Sequence, residues 1–158
     1  MRKSLGMRKS LAVAVVGALA AGAMVSGATI AWAQADVIKE RQENRKQAGA
    51  TMRAIKGVID AKGDAKTVVP MAAKLKTLEM AFDKMFPAGS DQGDTKALPT
   101  VWSDMPGFMA ASKGADAAYD KLAAAAGSGD LAAVTAAFGE TGKACGACHN
   151  TFRAKPKT

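Results

Sequence analysis

The chain has 158 residues, 49% hydrophobic and 5% aromatic, with one histidine, two cysteines and a formal net charge of +8. Nucleic-acid binding would want a dense basic face with interleaved aromatics. Here there is one Tyr, and the lysines alternate with Glu and Asp, so the charge describes a solvated surface and no nucleic-acid partner.

Residues 1–35 read as a cleaved signal peptide. Arg2, Lys3, Arg8 and Lys9 precede an uncharged run from Leu11 to Ile30. Ala31-Trp32-Ala33 and Ala33-Gln34-Ala35 then offer two export cleavage sites. The competing reading is a retained anchor, because the run approaches the ~20 residues that span a bilayer. Its Ala, Gly and Val content and its small-residue end argue for removal. The repeated Met-Arg-Lys-Ser at 1–4 and 7–10 makes Met7 an alternative start. The leader holds four of the 22 basic residues and none of the 14 acidic ones, so the net charge of 36–158 falls from +8 to +4. That remainder is one domain, and its export implies a periplasmic location.

Four segments then repeat apolar residues at steps of three and four, the pattern of amphipathic helices. The first covers about 36–61, with the stripe Ile38, Arg41, Arg45, Ala48, Met52, Ile55 and Ile59, and Gly63-Asp64 ends it. The second covers about 65–86, with Val68, Met71, Ala72, Leu75, Leu78, Phe82 and Met85, and Pro87 stops it. A loop rich in Gly, Asp and Ser runs from Pro87 to Pro99. The third helix, about 103–126, takes Ser103 as N-cap, with Pro106 tolerated in its first turn. Its stripe is Met105, Phe108, Met109, Ser112, Ala115, Tyr119 and Leu122. Gly127-Ser128-Gly129 breaks the chain and Asp130 caps the last helix. That helix carries Leu131, Val134, Phe138, Thr141, Cys145, Cys148 and Phe152 on one face and runs to about Phe152.

Such a chain predicts an all-α, antiparallel up-down-up-down four-helix bundle. Its core is thin, rich in Ala and Met, and a small domain buries a modest share of its surface. A large flat apolar cofactor would supply the missing buried area.

The two cysteines and the histidine lie together as Cys145-Gly146-Ala147-Cys148-His149, the C-x-x-C-H pattern of c-type haem attachment. Residues i and i+3 of a helix project on nearly the same side. Two thiols so placed can each join one vinyl group on one edge of a haem, and the next residue turns its imidazole toward the iron. A disulfide across four helical residues would be strained and would close almost no loop. A thioredoxin-like pair wants a βαβ context, and structural zinc lacks a fourth ligand. The prediction is therefore one covalent haem c, attached through Cys145 and Cys148, with His149 as axial iron ligand. No general acid–base constellation surrounds the single histidine, so an enzyme is not expected.

Arg41 is an unusual member of an apolar stripe. A buried Arg needs an anion. No buried carboxylate is evident in the pattern, and a haem propionate would serve, with the alternative that Arg41 snorkels to the surface.

A C-x-x-C-H motif on the last helix of a four-helix bundle resembles the class II cytochromes c, the cytochrome c prime family. Ile38-Lys39-Glu40-Arg41-Gln42 is similar to that family's first-helix signature, with Arg and Gln near the propionates. Pro99-Thr100-Val101-Trp102 resembles the stretch before its third helix, whose Trp packs by the haem. Ala136-Ala137-Phe138-Gly139 and Gly142-Lys143-Ala144-Cys145 resemble its fourth, and Arg153 resembles a basic residue beside the proximal haem face. The resemblance implies a homodimer through the first two helices.

One position departs. Where the family places an apolar residue or a Met over the open face of the iron, this chain has Arg45. Positions 38, 45, 52 and 59 repeat every seven residues, so the backbone at 45 faces inward. A guanidinium is a poor ligand and must find a propionate, a carboxylate or water. Met52 lies two turns away, ~10 Å along the axis. The expected iron is five-coordinate or weakly six-coordinate. Two functions follow: one-electron transfer with acidic redox partners, steered by the basic tail, or binding of nitric oxide or carbon monoxide at an open axial position.

Overall fold

A computed structural model describes residues 27–155, and side chains from residue 35 onward. Its elements are α1 (Gly27–Asp60), a 3₁₀ turn (Ala65–Thr67), α2 (Val68–Phe82), a short α3 (Thr100–Ser103), α4 (Met105–Ser128) and α5 (Leu131–Phe152). The four long helices form the expected antiparallel bundle. Among the described residues the one β feature is an isolated antiparallel bridge between Ala97 and Arg153.

The helix ends differ from expectation in instructive ways. α1 begins at Gly27, so its backbone runs through both predicted cleavage sites; the rest of the leader, 1–26, lies outside the described residues. No described helix is long and apolar enough to cross a membrane. α1 ends at Asp60, and the residue that turns left-handed is Lys62 (φ 51°), not Gly63. Asp64 instead caps the 3₁₀ turn through Lys66 N. α2 stops at Phe82, four residues short of the expected 86. Pro87 disfavours helical geometry for the residue before it, and Phe86 leaves the helix to bury its ring against Phe82 and Phe108. The cap of α4 is Asp104, whose carboxylate accepts from Gly107 N at 3.0 Å, rather than Ser103, which closes α3. A Cβ at Gly107 would collide with that carboxylate. α4 runs through Gly127 and Ser128 and breaks at Gly129 (φ 79°); Asp130 then caps α5 as expected, accepting from Ala132 N and Ala133 N.

The stripes pack into two clusters. One is aliphatic, with Ile55, Val68, Ala72, Leu75, Ala115, Tyr119, Leu122, Ala126 and Val134. The other is aromatic and smaller, with Phe86, Val101, Phe108 and Phe152. α4 packs along both α2 and α5, and α1 packs along α2, but α1 touches α5 only lightly. The bundle is therefore open on one side, between its first and last helices.

Candidate haem cavity

A cavity of about 690 Å³ occupies that opening. From α5 it is lined by Cys145, Cys148, His149 and Phe152, and the aromatic wall adds Phe82, Phe86 and Phe108. Both cysteines are free and half-buried. Cys145 Sγ lies 4.0 Å from the Tyr119 hydroxyl. Burial pushes both thiols up, Cys148 to about 11, and the Glu79 carboxylate pushes the same way. They therefore stay as neutral thiols. Burial, then Arg153 and Arg45, holds the His149 imidazole below its ordinary range, so it is neutral with a lone pair available.

The end of α5 is clamped by the loop ahead of α3. Leu98 N donates to Phe152 O at 2.9 Å and Ala154 N to Lys96 O at 2.8 Å. Thr100 Oγ1 donates to Thr151 O at 2.9 Å. These bonds pin the turn that follows His149 and keep Arg153, itself exposed, at the cavity wall.

On α1, Arg41 is buried, 4% exposed, and lines the cavity. It does not snorkel. Its Nη2 donates to Ser90 O and its Nη1 to Ser90 Oγ (3.4 Å), with the guanidinium 4.8 Å from the Phe86 ring centre. Burial depresses its pKa, and Asp91 partly restores it. Gln42 Nε2 donates to Asp94 O at 2.7 Å. In this structure the Arg-Gln pair thus latches the 87–99 loop to α1, a role the sequence did not disclose.

Arg45 takes a carboxylate, one of its three expected outlets. Nη1 donates to Glu79 Oε2 at 2.7 Å, Nε and Nη2 to Asn44 Oδ1 at 2.9 and 2.6 Å, and Nη2 also to Leu78 O at 3.2 Å. The guanidinium lies 3.7 Å over the Phe82 ring. The idea that the chain offers no buried carboxylate is corrected here: Glu79 is 5% exposed. The stripe of α2 follows Val68, Ala72, Leu75 and Glu79, while Leu78 is only half-buried. The four-residue step from Leu75 is the signal for Glu79 in the sequence, and the apolar Leu78 at the three-residue step masks it. Ser112 Oγ joins Glu79 to Asp83, and the nearby Asp116 Oδ1 is buried with no hydrogen-bond partner.

Trp102 does not line the cavity directly. It stands behind Phe86, ring centres 5.8 Å apart, and donates Nε1–H to Pro87 O at 3.1 Å. It supports the aromatic wall from outside.

Two thiols a helical turn apart, a neutral imidazole beside the second, and a mostly apolar hollow of this size fit a haem. Known proteins agree. A family profile described as Cytochrome C' matches residues 36–153. Cytochrome c' of Rubrivivax gelatinosus is 46% identical over 93 residues, 58% of this chain and 72% of that one. Cytochrome c' of Rhodopseudomonas palustris is 36% identical over 143 residues, 85% of this chain and 93% of that one. The crystal structure from Rubrivivax gelatinosus superposes with a TM-score of 0.69 at 38% identity, covering 76% of this chain and 96% of that one. A nitric oxide complex of a cytochrome c prime variant from Alcaligenes xylosoxidans matches at 31% identity and TM-score 0.71, covering 78% of this chain and 97% of that one. With the family profile matching nearly all of 36–158 and relatives of this similarity, the chain belongs to the cytochrome c prime family and carries haem c.

Proposed function

We propose that the protein is an exported, periplasmic one-electron carrier, with its haem bonded to Cys145 and Cys148 and ligated by His149. The carrying observation is that these three side chains line one cavity that opens beside a basic rim. The haem supplies a ferric–ferrous couple, and the chain's own residues do the rest. Phe82, Phe86 and Phe108 exclude water from one wall. Arg41, already committed to Ser90, receives a haem carboxylate, with Gln42 beside it. Trp102 braces Phe86. Lys46, Arg53, Lys96 and Arg153 around the cavity favour acidic redox partners and a fast electrostatic encounter. A homodimer is part of this reading; a matched cytochrome c' is described by its ligand-controlled dimer dissociation.

A second reading rests on Arg45. It lines the cavity from α1 at the position where the family resemblance puts an apolar residue or a Met, and its guanidinium has no lone pair to give. An open axial position would bind nitric oxide or carbon monoxide, the ligands present in structures of two Alcaligenes xylosoxidans variants. Spectra of the reduced protein with and without carbon monoxide test both readings. High-spin bands that shift with carbon monoxide identify an open site. A low-spin spectrum with a methionine–iron band, lost in Met52→Ala, identifies a closed carrier.

A further inference from the structure

Six basic residues line the cavity (Arg41, Arg45, Lys46, Arg53, Lys96 and Arg153) against one carboxylate, Glu79. Two haem carboxylates would leave that balance positive. Most of these cations are exposed, where water and salt screen them. Arg45 is different: its side chain is 30% exposed and held in place. Phe82 lies flat beneath it, Asn44 takes Nε–H and one Nη2–H, Leu78 O takes the other Nη2–H, and Glu79 takes one Nη1–H. A guanidinium has five N–H donors. The second Nη1–H therefore finds no acceptor among the described residues, and its owner lines the cavity.

We propose that Arg45 makes this cavity selective for a small anion as its second occupant beside the haem, received by the spare Nη1–H. This rests on the open-position reading above. An anion such as azide gains a charge-assisted hydrogen bond from a donor that is already oriented, so little ordering is lost on binding. Carbon monoxide, neutral and a weak acceptor, gains little from it. Glu79 opposes the effect by sharing the guanidinium's charge.

Azide is titrated into the ferric holoprotein and carbon monoxide into the ferrous form, both followed by absorption. Arg45→Leu should weaken azide by at least about tenfold, the size of one charge-assisted bond, and lower the ratio of azide to carbon monoxide affinity. Arg45→Leu also strands Glu79, so Glu79→Gln serves as the second variant. It keeps the guanidinium, removes the competing carboxylate, and should tighten azide several-fold. Unchanged azide affinity in both variants overturns the proposal. So does a wild type that binds carbon monoxide but no azide, which leaves the open-site reading standing. A protein that binds neither ligand overturns both.

Discussion

The two halves of the bundle solve different problems. In one, Ile55, Val68, Leu75, Leu122 and Val134 are essentially inaccessible and pack with other apolar side chains, Tyr119 and Phe138 among them. In the other, Phe86, Phe108 and Phe152 stack edge to face around a hollow whose walls hold Arg41, Arg45 and Glu79. The first is closed by the hydrophobic stripes alone. The second is shaped around a guest, and Arg41, Arg45 and Glu79 are tolerated there because each has a partner. An Arg held by a carboxylate, an amide oxygen, a carbonyl and an aromatic face retains most of what water gave it. Polarity in a core thus marks where the core is incomplete without a ligand.

The largest expected effect lies at the open half. Replacing Cys145 and Cys148 by Ala should let acid-acetone extract all the haem, whereas the natural chain keeps its pigment through denaturing electrophoresis. Equal retention in the double variant would remove the thiols from the attachment. At the closed half, Leu122→Ala should cost about 2–5 kcal/mol in chemical denaturation by leaving a cavity, while the haem absorption spectrum stays unchanged. A spectral shift there would show that the two halves are not separable.

Arg41→Ala probes the border between them. It removes the bonds to Ser90 and should lower stability by about 1.5–3 kcal/mol. It should also loosen the 87–99 loop, read as faster amide exchange in that segment, and shift the reduction potential. The smallest effect concerns Asp116. Burial, then the charges of Glu79 and Asp83, holds its carboxyl above the usual carboxylate range. A folded-state pKa above the unfolded one means that ionisation disfavours folding. The penalty is absent below the ordinary carboxylate pKa and grows as pH rises through the folded value. Asp116→Asn should therefore raise Tm near neutral pH and give no gain at about pH 3. A gain of equal size at both pH values would assign the effect to packing instead.

The sequence by itself determined the four long helices, the C-x-x-C-H site and the family. Those features are local: apolar steps of three and four, an Asp at an N-cap, and donors spaced by one helical turn are set within a few residues of one another. It missed the early end of α2, because Phe86 leaves the helix for partners on α4. It also missed the cap of α4, where Asp104 has the geometry that Ser103 lacks. Only the tertiary structure decided what the charged positions do. Arg41 meets Ser90 49 residues away, and Arg45 meets Glu79 34 residues away. A helical period tells which face a side chain takes but not what stands opposite it. The partner of a buried charge is chosen by the packing of whole helices, and that choice also separated the wall-lining Arg45 from Trp102, which the fold set behind Phe86.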